Sequence, residues 1–133
     1  MRFQDIVIGS VCQFERQINV DDGLSFAKLT GDTNPLHTSA EFAEQSPFGR
    51  TIVHGLLIGG LFSTLVGVHC PGDNCLYVSQ TLQFKAPVFY GDVVVIRGIV
   101  TDKHDSISMV RMKTEALVNG EVKVTGEAVV KVL

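Results

Sequence analysis

The dominant pattern in the chain is an apolar one. Val53 to His69 reads VHGLLIGGLFSTLVGVH, with no charge other than its terminal histidines. As a helix this stretch is about 25 Å long, short for a membrane span, and its flanks lack anchoring Lys, Trp or Tyr. A helix apolar on all sides is expected as the buried centre of a globular domain. Gly55, Gly59, Gly60 and Gly67 each cost about 1 kcal/mol of helix propensity against alanine. Small residues at that cost fit a place where a strand or ligand comes close to the backbone.

After this helix the period changes from helical to two-fold. Strands are predicted at Leu76–Phe84, Val93–Val100, Ile107–Val118 and Glu121–Val132. Asn119-Gly120 between the last two is the preferred dipeptide of a type I′ hairpin turn. Val122, Val124, Ala128, Val130 and Val132 share one parity and are expected to face the core. Val93 to Ile96 is apolar at consecutive positions, which predicts cover on both faces of that strand.

Before the apolar helix the elements are short. A strand is expected near Val11–Ile18, then a helix capped by Asp21 or Asp22 and closed by Gly31. Thr38 or Ser39 would cap a second helix, Ala40–Gln45. No repeat or linker divides residues 1–133, so one domain is expected. The fold class is α+β: an antiparallel sheet of four or five strands wrapped around a long central apolar helix. Its open edge predicts dimerisation by sheet pairing.

Composition narrows the function. Hydrophobic residues make up 45% and charged residues 19%, values of a soluble globular protein. A net charge of −3 and scattered Lys and Arg exclude a basic field for nucleic acid. The start, Met1-Arg2-Phe3-Gln4-Asp5, has no secretory character, so a cytoplasmic location is expected. Cys70 and Cys75 flank a four-residue loop where a disulfide is conceivable; free thiols in a reducing cytoplasm are the favoured reading. The four histidines lack zinc-ligand spacing and predict no metal site.

The candidate chemistry lies in Gly31-Asp32-Thr33-Asn34-Pro35-Leu36-His37. On an ideal helix, Asp32 and His37 would point about 140° apart. Pro35 disfavours regular helix here, and Gly31 permits a sharp exit, so a folded-back loop would bring both side chains to one cavity. Asn34 has the groups to pin that loop. A carboxylate beside an imidazole suits proton transfer to and from one water. The start of the apolar helix, at Val53-His54-Gly55, supplies free N–H groups for a developing oxyanion. The plainer readings are a capped turn at Asp32, a structural His54, and a Ser63 hydroxyl bonded one turn back.

Taken in order, Gly31-Asp32-Thr33-Asn34-Pro35-Leu36-His37, Ile52-Val53-His54-Gly55, Gln80 to Asp92 and Thr125 to Val130 resemble the MaoC-like family of (R)-specific enoyl-CoA hydratases. The resemblance covers nearly the whole chain and implies a hot-dog fold that pairs into a homodimer. It implies addition of water to trans-2-enoyl thioesters, giving (R)-3-hydroxyacyl thioesters, with no metal or organic cofactor. By the same resemblance Asp32 and His37 are catalytic and Gly55 binds the thioester carbonyl. Asn34, Ser63 and His54 support them. The partner is an acyl-CoA or acyl-carrier-protein thioester. A dehydratase acting on acyl carrier protein, a hot-dog thioesterase and a non-catalytic acyl-thioester-binding subunit are the alternatives. No single cation announces which carrier is read; Arg50, Lys85 and Arg97 are the candidates to test.

Overall fold

The computed structural model describes residues 1–133. Six strands fill five positions of one antiparallel sheet. They are β1 (Val11–Gln17), β2 (Cys75–Gln80), β3 (Gln83–Phe84), β4 (Val93–His104), β5 (Met109–Val118) and β6 (Glu121–Val132). The order is β1-β4-β5-β6-β2, with β3 on β6 in line with β2. The β5–β6 turn has positive φ at both Asn119 and Gly120, as a type I′ hairpin requires.

Four helices lie between β1 and β2 in the chain: α1 (Val20–Thr30), α2 (Pro35–Thr38), α3 (Ala40–Glu44) and α4 (Gly55–Thr64). α4 runs on as a π-helical turn, Leu65–His69. Ile58, Phe62 and Leu65 from this helix pack with Val94, Ile96, Ala116 and Val124 of the sheet. Val66 and Cys70 continue the core onto Val100, Val110, Met112, Ala128 and Val130. The hot-dog arrangement read from the sequence is the observed one.

Several details differ. The stretch Leu76–Phe84 is not one strand, because the chain breaks at Thr81–Leu82. Thr81 steps out of line, its Oγ1 accepting the Glu127 N–H at 2.9 Å while its own N–H donates to the Glu127 carbonyl, also at 2.9 Å. A Cβ on Gly126 would lie 1.8 Å from the Thr81 carbonyl oxygen, so this glycine is required by the crossing backbone. α1 is capped by Asn19 rather than an aspartate; Asp22 instead accepts the Asn19 N–H at 2.8 Å. Of the two caps expected for α3, Ser39 is the one used, its Oγ accepting the Phe42 N–H at 3.2 Å.

The central helix is also not buried all round. Leu56, Gly60, Ser63, Gly67 and Val68 are exposed along one face. Gly59 admits Leu82, whose Cδ1 would lie 2.9 Å from an added Cβ, whereas Gly60 faces open space. Val93–Val100 alternates, with Val94, Ile96 and Val100 buried and Val95 and Ile99 only partly covered. No helix is long and apolar enough to cross a membrane. All three cysteines are free, and the Cys75 thiol donates to the Val66 carbonyl.

Candidate active site

α1 ends as the sequence predicts, on Gly31 in the left-handed region at φ 80°. Beyond it a chain of local bonds shapes the loop. The Thr30 hydroxyl donates to the Phe26 carbonyl at 2.8 Å and accepts the Asp32 N–H at 3.2 Å. Asp32 Oδ1 accepts the Asn34 N–H at 3.3 Å, and Asn34 Oδ1 accepts the Leu36 N–H at 3.0 Å. Asn34 itself, at φ −49° and ψ 124°, keeps out of the helical region, as the residue before a proline prefers. The loop ends there. Pro35–Thr38 forms one helical turn with Pro35 in its first position, where a missing N–H costs nothing and the fixed φ suits the helix. His37 rides on that turn.

The ring of His37 is fixed by its Nδ1, which lies 2.8 Å from the Ile52 carbonyl oxygen. Only an N–H can bond a carbonyl, so Nδ1 carries the hydrogen and Nε2 presents a lone pair. The ring stacks on His54 with centroids 4.0 Å apart. His54 is 2% exposed, and Phe26 packs on it at 4.8 Å. Its Nε2 lies 3.0 Å from the Asp32 main-chain oxygen and 3.8 Å from Asp32 Oδ2. Asp32 keeps its side chain half exposed.

One donor atom from each of Asp32, His37 and His54 thus lies within 4.8 Å of the others. Their spacing along the chain hid this cluster. The Ile52 N–H bonds the Leu36 carbonyl at 3.1 Å, and Ile52 bridges Phe89, which lays the start of α4 beside α2. The set is better suited to moving protons than to holding a metal. His54 Nε2 is committed to a carbonyl, which leaves two free ligand atoms, fewer than the three protein ligands of catalytic zinc sites.

The cluster opens on a cavity of about 450 Å³, walled by Phe48, Ile52, Leu56, Ile58, Phe84 and Val88. Gly55, the first residue of α4, also lines it. The N–H groups of Gly55 and Leu56 make no backbone hydrogen bond and lie at the positive end of the helix dipole. The Phe84 ring passes so close that a Cβ on Gly55 would lie 2.7 Å from it. Asn34 stays outside the cavity as a loop-forming residue. Ser63 is not brought to it; it stands on the exposed face of α4 and makes no hydrogen bond one turn back.

Of the three candidate cations, Lys85 lines the cavity. Arg50 lies over the Phe89 ring at 3.8 Å. Arg97 is paired with Glu115 at 3.2 Å in the strand pair β4–β5. Sequence reasoning missed Thr30, the Ile52 carbonyl and Tyr90, whose hydroxyl donates to the His37 carbonyl at 3.0 Å. None of these carries a motif signal, because each bond has backbone on one side.

Comparison with known proteins points the same way. The family model described as "MaoC like domain" matches residues 4–122. The chain is 40% identical to the 3-hydroxybutyryl-CoA dehydratase of Methylorubrum extorquens, over 98% of this chain and 83% of that protein. It is 38% identical to the (R)-specific enoyl-CoA hydratase of Aeromonas caviae, over 98% of both. The solved structure of the (R)-hydratase from A. caviae involved in PHA biosynthesis superposes with a TM-score of 0.95 at 37% identity, covering 98% of this chain and 99% of that one. The cavity, the paired elements around it and these likenesses over nearly the full length make the chain a member of the MaoC-like family.

Proposed function

We infer that the protein is an (R)-specific enoyl-CoA hydratase, a hydro-lyase that adds water to trans-2-enoyl-CoA and releases it in the reverse direction. The observation that carries this reading is a carboxylate and an imidazole, Asp32 and His37, within 4.8 Å at one apolar cavity. A water between them lies within hydrogen-bond reach of both. His37 Nε2, left as acceptor by the Nδ1 bond to Ile52, takes a proton as the water oxygen adds at C3. Asp32 orients that water, and His37 Nε2 then gives the same proton to C2 on the same face, which returns the imidazole to its neutral form. The carbonyl oxygen gains charge as the enolate forms, and the Gly55 N–H at the head of α4 stabilises it. Asn34 and His54 hold the loop.

The reading takes residues 1–133 as one domain acting as a homodimer. The exposed stripe on α4, which carries Ser63, faces the second copy. Three free cysteines suit a reducing cytoplasm. CoA is preferred to acyl carrier protein because the M. extorquens and A. caviae relatives are both named for CoA thioesters.

The test is crotonyl-CoA with enoyl absorbance and free thiol followed together. Loss of absorbance without thiol release is the expected result, with (R)-3-hydroxybutyryl-CoA as product. Thiol release would make the protein a thioesterase. Turnover only on a carrier-protein substrate would make it the dehydratase of that carrier.

A further inference from the structure

We infer that Tyr90 is a positioning residue for His37, its hydroxyl fixing the backbone of the helical turn that aims the imidazole. The inference rests on the reading of His37 as the proton-transfer group. α2 is four residues long, too short to hold itself together by its own ladder. Two bonds close the turn itself, and the Leu36 and His37 carbonyls are claimed from outside it. The Asn34 oxygen takes the His37 N–H at 2.9 Å, the Pro35 oxygen takes the Ser39 N–H at 2.9 Å, and the Leu36 oxygen takes the Ile52 N–H. The His37 oxygen is bonded by Tyr90 alone, at 3.0 Å. This places one strut on the His37 ring, from Ile52, and one on its main chain, from Tyr90.

Tyr90 is itself held rigidly. It sits in a turn where Asp92 Oδ2 accepts the Phe89 N–H at 2.9 Å. The Gly91 N–H donates to the Ile18 carbonyl at 2.7 Å, and the Ile18 N–H donates to the Asp92 carbonyl at 3.1 Å. The hydroxyl then reaches His37 by crossing α1 at Gly23, where a Cβ would lie 2.0 Å from it. A glycine inside α1 weakens that helix by about 1 kcal/mol, and the space it leaves is the one the Tyr90 ring occupies. Burial and the nearby Asp22 carboxylate push the Tyr90 pKa up, which keeps the hydroxyl a donor.

The test is Tyr90→Phe, which removes one oxygen and keeps the ring. With crotonyl-CoA, kcat is expected to fall about tenfold with KM unchanged, as for a misaimed group rather than a lost binding contact. ¹⁵N resonances of His37, assigned by their loss in His37→Gln, should show the Nδ1–H tautomer in the wild type and a mixture in Tyr90→Phe. In a His37→Gln background, Tyr90→Phe should cost nothing further. An unchanged kcat, an unchanged tautomer, or an equal loss without His37 would each overturn the inference. A wild type inert towards crotonyl-CoA would sink the hydratase reading instead, while the tautomer comparison would still decide whether Tyr90 holds His37.

Discussion

His54 Nε2 sits 3.0 Å from the main-chain oxygen of Asp32 and 3.8 Å from its carboxylate. The buried histidine therefore holds the backbone of the loop, and the carboxylate stays free to face the cavity. His54 Nδ1 is buried with no partner, so the ring serves through one nitrogen only. His54→Phe keeps the stacking with His37 and Phe26 but loses the loop tether. Its kcat is expected to drop roughly tenfold to a hundredfold, with stability within about 1 kcal/mol of wild type, since a buried orphan atom is removed along with the bond. Urea unfolding and crotonyl-CoA kinetics on one preparation separate the two effects.

Asp32→Asn and His37→Gln test the pair itself. Asp32→Asn retains an oxygen that can bond the Asn34 N–H but removes the charge. Each variant is expected to lose activity by at least about a hundredfold, the lower range for a positioned acid or base. Losses from the two should not multiply, because the residues act on one water. A double variant much slower than either single one would mean that they act on separate steps.

Much of the fold and site was legible in the sequence, and the reason is local chemistry. Gly31 ends α1, Asn34 caps the turn that Pro35 begins, and Asn119-Gly120 closes the last hairpin; each needs only its near neighbours. The cluster was not legible as geometry. His54 meets Asp32 across twenty-two residues through the path of Ile52, and Tyr90 meets His37 across fifty-three. The break at Thr81 was also hidden, because Leu76–Phe84 has strand composition throughout and only the opposing Gly126 marks the crossing.

That crossing yields a stability prediction. In Gly126→Ala the new methyl would sit 1.8 Å from the Thr81 carbonyl oxygen, and backbone cannot yield as a side-chain tip can. A loss of about 2–4 kcal/mol is expected, read as a lower urea midpoint with an unchanged slope. A midpoint equal to wild type would mean that the Thr81–Leu82 break relaxes freely.

Lys85 offers a test of carrier recognition. It lines the cavity, and its backbone N–H is tied to the Lys123 carbonyl at 2.8 Å. Its ammonium has no acidic partner among the ion pairs of the chain. An unpaired cation at the cavity suits the phosphates of a CoA arm. Lys85→Glu is expected to raise KM for crotonyl-CoA about tenfold, and to leave KM for crotonyl-pantetheine, which lacks those phosphates, unchanged. Equal effects on both substrates would place Lys85 away from the phosphates.

The exposed face of α4 carries the last prediction. Leu56 and Val68 are 63% and 68% exposed, and Leu76 and Val78 on the edge strand β2 are 55% and 51% exposed. β2 ends the sheet with an unpaired edge, and the π-helical turn after α4 packs against it. An apolar stripe beside an open edge is a surface that proteins seldom leave bare. A second copy related by a two-fold axis would cover both at once, each chain meeting the same patch on the other. It would also bring a partner surface to the mouth of the cavity, where Leu56 and Phe84 stand. Wild-type protein is therefore expected to sediment at twice the 14.4 kDa chain mass. Val78→Lys, a charge on the edge strand outside the lining of the cavity, should shift it to monomer and lower activity in parallel. Monomeric Val78→Lys with full activity would restrict each site to a single chain and leave the stripe on α4 a matter of stability alone.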